Sequence, residues 1–122
     1  LLISIPGIGV LSAMKILTEI EDIQRFKSLD QLCGYIGLIP TTKSSGEKEN
    51  VGEMTNRGNK HLKTTIIECA WSSIHHDPGM SQKYFELIKR MDSNKAIVRI
   101  AKKLVARIIF VLTKEEEYKV IK

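Results

Sequence analysis

The sequence predicts an all-α protein: a compact bundle of about five helices, with an N-terminal helix-hairpin-helix and a long loop rich in Ser, Gly and Lys. Hydrophobic residues make up 43 % of the chain and aromatic residues only 6 %, so aliphatic side chains supply most of the apolar bulk. Apolar residues recur at the three- and four-residue spacing of helices, and capping residues, glycines and prolines separate these stretches. A length of 122 residues fits a single domain, 1–122.

The chain opens inside an apolar pattern at Leu1, so we expect a C-terminal fragment of a longer protein. No apolar run approaches the ~18 residues that span a membrane, and no signal peptide is evident. These features predict a cytoplasmic protein with no membrane partner. Cys33 and Cys69 lie in apolar helical stretches without CxxC spacing, which predicts reduced core thiols and no metal site.

The first predicted element, residues 1–24, joins an apolar segment to a helix through Pro6-Gly7-Ile8-Gly9. Glycines allow a tight turn and a close approach to a ligand. The helix start adds unpaired N–H groups and partial positive charge, which together bind phosphate. We therefore predict that Gly7 and Gly9 contact a DNA backbone; a helix–turn–helix connection with no ligand is the alternative.

The first helix is predicted to pack through apolar residues around Ala13, and these are Leu11, Met14, Ile16, Leu17 and Ile20. Ser28-Leu29-Asp30-Gln31 has the pattern of a capping box and opens a second helix. Gly37 suits the position after that helix, and Pro40 prevents its continuation.

Three further helices fill residues 59–113, and a charged tail follows at 114–122. The residues predicted to face inward are Leu62, Ile66, Ile67, Ala70 and Ile74 in the third helix and Ile97, Ile100, Ala101, Leu104, Ile108 and Leu112 in the fifth. Asn59 is predicted to cap the third helix, which ends near His76. Asp77-Pro78 is predicted to cap the fourth, which ends near Met91.

Ser93 or Asn94 is predicted to cap the fifth helix, which runs to about Thr113. One side of it carries cations at helical spacing: Lys95, Arg99, Lys102, Lys103 and Arg107. In the third helix, Trp71 adjoins the apolar face and is predicted to be core rather than a platform for stacked bases.

The loop 41–58 places Ser44 and Ser45 beside a glycine and between Lys43 and Lys48. A serine that attacks a phosphodiester must lose its proton, and the charge on the phosphate must be neutralised. Lysines and a flexible backbone suit that chemistry. An ordinary surface turn has the same composition, and on the residues alone it is the simpler interpretation.

Arg57, Lys60 and Lys63 cluster where the third helix begins. Cations oppose the helix dipole there, so the arrangement makes sense if an anion binds among them. Phosphate is the obvious anion, and a net charge of +5 agrees with a polyanionic partner. A solvated basic turn explains the cluster equally well.

No carboxylate cluster resembles the acidic cage that metal-assisted phosphoryl transfer needs. Glu47, Glu49 and Glu53 alternate with other residues in a loop that also holds lysines. His75 and His76 are adjacent on a helix and point about 100° apart, so they rarely share one ion. We therefore expect no metal in this chain.

A series of short blocks resembles the C-terminal domain of the IS110 family of insertion-sequence transposases, which are related to the Piv/MooV DNA invertases. The blocks follow the family's order over nearly the whole chain. They are Ile5-Pro-Gly-Ile-Gly9, Phe26-Lys-Ser-Leu-Asp-Gln-Leu32, Tyr35-Ile-Gly-Leu-Ile-Pro40, Ser45-Gly46, Arg57-Gly-Asn59, Ala70-Trp71, His76-Asp-Pro78 and Ala101-Lys-Lys-Leu104.

The resemblance implies a DNA transposase or site-specific recombinase in which this domain supplies a serine nucleophile. The serine directly before the glycine is Ser45, with Ser44 as the alternative if the alignment slips by one residue. Cations that would position the DNA are Lys43, Lys48, Arg57, Lys60 and Lys63.

The resemblance also implies a separate N-terminal RuvC-like domain that binds divalent metal through acidic residues, with Mg²⁺ as the expected ion. Without that domain we expect the fragment to be inactive. Homo-oligomers, a noncoding guide RNA and association with a prokaryotic nucleoid are implied as well. The acids Glu47, Glu49 and Glu53 depart from the more basic stretch expected of the family.

Two other classes of protein fit part of the pattern. One is a non-catalytic helix-hairpin-helix module of a repair or junction-processing protein, which would bind DNA without cleaving it. The other is a protein-interaction bundle whose basic charge is incidental.

Overall fold

A computed structural model describes residues 2–38 and 57–115, and for 57–59 it describes the backbone alone. This part of the chain holds five α-helices and no strand, which confirms the predicted all-α bundle. The α-helices are α1 (Val10–Ile20), α2 (Leu29–Ile36), α3 (Arg57–His76), α4 (Pro78–Leu87) and α5 (Ser93–Lys114). Short 3-10 turns cover Leu2–Ser4 and Ile23–Arg25.

Helix α3 is the centre of the bundle, because α1, α2, α4 and α5 all pack against it. Its predicted apolar positions Leu62, Ile66, Ala70 and Ile74 are buried. Ser73 is also fully buried, and its hydroxyl donates a hydrogen bond of 2.8 Å to the Ala70 carbonyl. A helix with neighbours on several sides can bury small polar residues when they find a partner within their own turn.

The predicted ends of α2 are confirmed. The Ser28 hydroxyl accepts a hydrogen bond from the Gln31 N–H at 3.1 Å, and the Gln31 side chain accepts from the Lys27 N–H at 2.8 Å. Gly37 adopts the left-handed conformation, with φ of 94°, and its N–H donates to the Cys33 carbonyl. Leu38 is buried just beyond it, as expected for this type of helix end.

The junction between α3 and α4 is also as predicted. Asp77 caps α4 by accepting from the Gly79 N–H at 2.9 Å and the Met80 N–H at 3.4 Å. Pro78 occupies the first helical position, where its missing N–H costs nothing. The second Asp77 oxygen accepts a hydrogen bond of 2.7 Å from Arg107, so the cap also ties α4 to α5.

Three predicted helix boundaries are wrong. Helix α3 begins at Arg57, so Asn59 is its third residue and not its cap. Helix α4 ends at Leu87, four residues before Met91, because the chain turns there toward α5.

Helix α5 is preceded by Asp92 in the capping position, so Ser93 is already helical and neither Ser93 nor Asn94 is the cap. Asp92 has extended backbone but forms no side-chain capping bond. The N-terminus of α5 therefore lacks the side-chain acceptor that usually satisfies its first N–H groups.

The predicted core face of α1 is wrong in part. Ala13, Ile16 and Ile20 are buried, but Leu11 and Met14 are 73 % and 60 % exposed. Leu17 is exposed as well, at 45 %. Helix α1 packs one side against α3, and its other apolar residues keep 45–73 % of their surface exposed; these are Val10, Leu11, Met14 and Leu17.

Trp71 is not in the core either. It is 37 % exposed and meets the Tyr84 ring edge-on at 5.8 Å between centroids. It therefore joins α3 to α4 at the surface of the bundle. The two thiols are buried and unbonded as predicted, Cys33 in α2 and Cys69 in α3.

Candidate nucleic-acid interface

The glycine hairpin is held against the central helix at Gly7. A Cβ placed on Gly7 would lie 2.8 Å from Ser73 Cβ and 2.9 Å from the Cys69 carbonyl oxygen. Its φ of 102° is also a conformation that side chains disfavour. Ile5 and Ile8 are buried on either side of this contact. A glycine is thus required here for packing, whatever the hairpin binds.

Gly9 has a different setting. It precedes α1 with extended backbone, and a Cβ on it would meet nothing within 4 Å. It forms no side-chain capping bond, so the first N–H groups of α1 have no partner of that kind. The neighbouring exposed side chains are apolar, from Val10 and Leu11. Of the two hairpin glycines, Gly9 is the one whose backbone a ligand could approach closely.

Of the predicted helix-hairpin-helix, the structure describes the hairpin and the second helix, which is α1. What precedes the hairpin in the described chain is the 3-10 turn Leu2–Ser4. The backbone of the hairpin is closed by Ile5 N–H to Leu2 carbonyl and Ile8 N–H to Ile5 carbonyl hydrogen bonds of 3.0 and 3.1 Å.

The predicted basic cluster lies on the first turns of α3. Arg57 is the first residue of the helix, and the first turn contains no acidic residue. The side chains of Lys60 and Lys63 are exposed. Lys63 runs beside Gly37, because a Cβ on that glycine would lie 3.7 Å from Lys63 Cδ. The positive end of the α3 dipole and the two ammonium groups therefore both contribute positive potential near the start of α3.

The hairpin and the basic cluster are two separate places on α3. The hairpin touches Cys69 and Ser73, whereas Lys60 and Lys63 belong to the first two turns. At about 1.5 Å of rise per residue, some 10–20 Å of helix separates them. A single phosphate does not reach both, so they are suited to different phosphates of one backbone.

The other predicted site residues lie outside the described part of the chain. These are Lys43, Ser44, Ser45 and Lys48, which precede α3 in the sequence; the predicted loop 41–58 ends too late, because residues 57 and 58 already belong to α3. The structure therefore fixes the helix start to which this loop leads, and it places the hairpin on the same helix farther along.

The sequence did not predict a groove of about 430 Å³ that lies between α1 and α3. It carries charges of both signs, which include Lys15, Glu19 and Glu68. Residues that face each other across two helices have no fixed spacing in the sequence, so no motif could have indicated it.

The thiols have no nucleophilic role. Burial raises the pKa of Cys69, which the Ser12 hydroxyl partly offsets and the Glu68 carboxylate reinforces. Burial also raises the pKa of Cys33, with Lys102 acting against it and Asp30 with it. Both therefore stay protonated near neutral pH, and a thiol is a poor nucleophile.

Metal ligands do not converge in the described residues: no three His, Cys, Asp or Glu side chains there are arranged to hold an ion. The residues of this region therefore do not fit a divalent metal. In the same region, no helix is both long and apolar enough to cross a membrane.

The fold and this surface define an all-helical domain with a glycine hairpin and exposed cations where its central helix begins. The chain belongs to the transposase IS116/IS110/IS902 family, whose model matches residues 1–85. This confirms the family that the sequence blocks indicated.

Several transposases are similar to the chain over most of its length. The transposase for insertion sequence element IS1111A of Coxiella burnetii is 36 % identical over 95 % of the chain and 33 % of that relative. The transposase for IS1328 of Yersinia enterocolitica is 30 % identical over 92 % of the chain and 34 % of its own length.

An IS110 insertion-element protein of Streptomyces coelicolor is 29 % identical over 93 % of the chain and 28 % of its own length. The chain thus spans about a third of these relatives. No solved structure matches it.

Proposed function

We propose that this chain is the part of a DNA transposase that holds the DNA backbone and supplies a serine nucleophile. Family membership supports transposition as the activity. The observation that supports the residue assignment is the start of α3. Exposed Lys60 and Lys63 lie there with the positive end of the helix dipole, and the segment with Ser45 precedes them in the sequence. An anion at that position gains from both.

In the proposed step, Ser45 Oγ bonds to phosphorus while the bond from phosphorus to a sugar oxygen breaks. The serine loses a proton and the leaving oxygen gains one, so the exchange balances. Lys43, Lys48, Arg57, Lys60 and Lys63 neutralise the phosphate. The hairpin holds a second phosphate farther along the strand, with Gly9 at the ligand and Gly7 fixing the hairpin on α3. Ser44 is the alternative nucleophile.

Divalent metal, Mg²⁺ by resemblance, is assigned by that same resemblance to another part of the whole protein. The proposal also includes self-association of the whole protein and a noncoding guide RNA, both implied by the resemblance. We route no step through these components.

The test uses the whole transposase that carries this chain, with DNA that contains the ends of its element. Ser45→Ala should lower strand cleavage by at least about 1,000-fold and leave DNA affinity within about two-fold. A covalent protein–DNA adduct that survives denaturation should form with the wild type and disappear with this variant.

Ser44→Ala is the matched control, because it removes the neighbouring hydroxyl and should retain cleavage. Loss with Ser44→Ala alone would move the nucleophile by one residue. If both variants cleave like the wild type, the serine assignment fails and a non-catalytic helix-hairpin-helix module explains the chain better.

A further inference from the structure

The outward side of α5 is a row of cations. Lys95, Arg99 and Lys103 are exposed, and Lys102 is half-buried beside them. We call these four residues the α5 basic face. Helix α5 contains no Asp or Glu along its 22 residues. The surface therefore has a single sign of charge.

The spacing of the cations makes the row continuous. Lys95, Arg99 and Lys103 follow one another at intervals of four residues, so they project from successive turns on the same side of the helix. The row is about 12 Å long at 1.5 Å per residue. Cations four residues apart repel each other, and Lys95 also opposes the dipole in the first turn. Helix stability alone thus disfavours this arrangement.

None of these four side chains forms an ion pair within 4 Å in the described residues, although Asp92 precedes the helix and Asp30 lies on the neighbouring α2. The ion pairs there are Arg25 with Glu21 at 3.7 Å and Arg107 with Asp77 at 2.7 Å, and neither involves the α5 basic face. Arg107, on the flank of the same helix, serves the α4 cap. The four other cations are left for a partner outside this part of the chain.

The position of the face relates it to the rest of the bundle. Lys102 lies on the α2 side of α5, because its charge acts on Cys33 of α2. Lys63, of the α3 cluster, lies beside Gly37, which follows Cys33 by one turn at the C-terminal end of α2. Helix α2 packs against both α3 and α5. Two groups of cations therefore border α2, one from each neighbouring helix.

The chemistry of the face favours a sugar–phosphate backbone. A row of cations without acids fits a partner with regularly repeated negative charge, and duplex DNA carries one per about 1.7 Å of its axis. A membrane surface fits poorly, since a helix that binds lipid inserts its apolar side. The apolar side of α5 is buried in the core, through Ile100, Leu104 and Ile108 among others.

We propose that the α5 basic face is a further binding surface for the sugar–phosphate backbone of a nucleic-acid duplex, separate from the start of α3. The inference rests on the proposed function in that it takes nucleic acid as the partner. It adds a surface that needs neither the serine loop nor the hairpin. The occupant we propose is a DNA duplex, and a loss of binding confined to an RNA duplex would overturn the proposal.

The experiment measures binding of the 122-residue chain to a labelled 30-base-pair DNA duplex, and to an RNA duplex of that length, between 50 and 200 mM salt. The test variant is Lys95→Gln/Arg99→Gln/Lys103→Gln. Each lost phosphate contact lowers the slope of log K against log salt by about 0.9 on B-DNA. We expect the slope to fall by about three with the DNA duplex.

Two further variants control for charge and for the side chains. Lys15→Gln/Lys27→Gln/Lys83→Gln removes the same net charge from other places and should keep the wild-type slope. Lys95→Arg/Lys103→Arg keeps the charge of the α5 basic face, so it should also keep the wild-type slope of log K against log salt. Lys83 is half-buried and the other altered residues are exposed, so circular dichroism should show an unchanged fold.

The proposal is overturned if the α5 variant keeps the wild-type slope, if the control triple variant loses as much, or if polyglutamate or anionic vesicles compete as well as the duplex. Absence of binding by the wild type at 50 mM salt overturns it as well.

Lys60→Gln/Lys63→Gln separates this proposal from the function proposed above. If only that variant lowers the slope, the α3 site stands and the α5 face fails. If only the α5 variant lowers it, the α5 face stands and the α3 assignment fails.

Discussion

Helices α1 and α5 both pack one side against α3, but the side chains on their outward sides differ in polarity and charge. Helix α1 exposes Val10, Leu11 and Met14 to solvent, whereas α5 exposes Lys95 and Arg99. Both have the three- and four-residue apolar spacing of an amphipathic helix. In α5 that spacing identifies the buried side correctly, and in α1 it includes residues that are not buried at all.

The difference teaches which part of an amphipathic pattern concerns folding. The side against α3 must fill space at the density of a protein interior, so aliphatic residues are required there. The outward side has no such constraint, and its composition is free to serve another purpose. The outward sides of the two helices therefore differ in chemistry, cationic on α5 and apolar on α1.

The attachments of the two helices differ as well. The chain enters α1 through Gly7, whose backbone lies directly on α3. Helix α5 has a polar tether, the 2.7 Å ion pair between Arg107 and the nearly buried Asp77. Substitutions at each attachment and on each face of α1 test this comparison.

The largest effect is expected at the hairpin. Gly7→Ala forces a methyl group to within 2.8–2.9 Å of Ser73 and the Cys69 carbonyl, and it strains a backbone with φ of 102°. We expect a loss of about 4 kcal/mol in the free energy of unfolding, measured by urea denaturation.

Gly9→Ala is the matched control for this substitution, because a Cβ there meets nothing within 4 Å. It should cost no more than about 1 kcal/mol. Equal losses at the two glycines would show that the hairpin does not lie on α3 as described.

The two sides of α1 should respond differently to truncation. Ile16 is fully buried, so Ile16→Ala should lower the free energy of unfolding by about 3 kcal/mol. Leu17 is 45 % exposed, and Leu17→Ala should cost less than about 1 kcal/mol. Denaturation at two protein concentrations measures both. A large loss for Leu17→Ala that grows with concentration would mean that a second copy covers this face.

A smaller loss is expected at the tether of α5. Asp77 is 5 % exposed, caps α4 and pairs with Arg107. Asp77→Ala removes both roles and should cost about 2 kcal/mol, since Arg107 is near enough to the surface to regain water.

Glu86→Ala removes an exposed acid from the same helix and should change stability by less than about 0.5 kcal/mol. Thermal unfolding followed by circular dichroism compares the two variants. Similar midpoints would mean that the ion pair and the cap contribute nothing to holding α4 and α5 together.

The caps show how much of the fold could be predicted. Ser28, Gly37 and Asp77 were identified because each acts within a few residues of its own position. The errors at Asn59, Met91 and Ser93 arose where several candidate residues stand in a row. There the choice depends on where the chain must turn to reach its next neighbour, and local sequence does not contain that information.

The candidate site was predictable to a similar degree. The sequence grouped Lys60 with Lys63, and both are exposed at the start of α3. It treated Gly7 and Gly9 as equivalent, yet Gly7 is needed for packing and Gly9 stands open. The nucleophile assignment at Ser45 depends on family resemblance and stays a prediction. The sequence also identified the cations of α5. Only the structure shows that Lys95, Arg99 and Lys103 form no ion pair in the described bundle.

By itself the sequence determined the helical class, the sides of α3 and α5 that face inward, and the family. These follow from spacing and short motifs, which act along a single stretch of chain. Tertiary structure alone decided that α1 is covered on one side only, that Gly7 touches α3, and that Arg107 is paired while Lys95 and Arg99 remain available. Each of these features depends on which distant segment packs beside a residue. Burial and ion pairing both need two surfaces in contact, and the sequence of one segment does not say which segment it will contact.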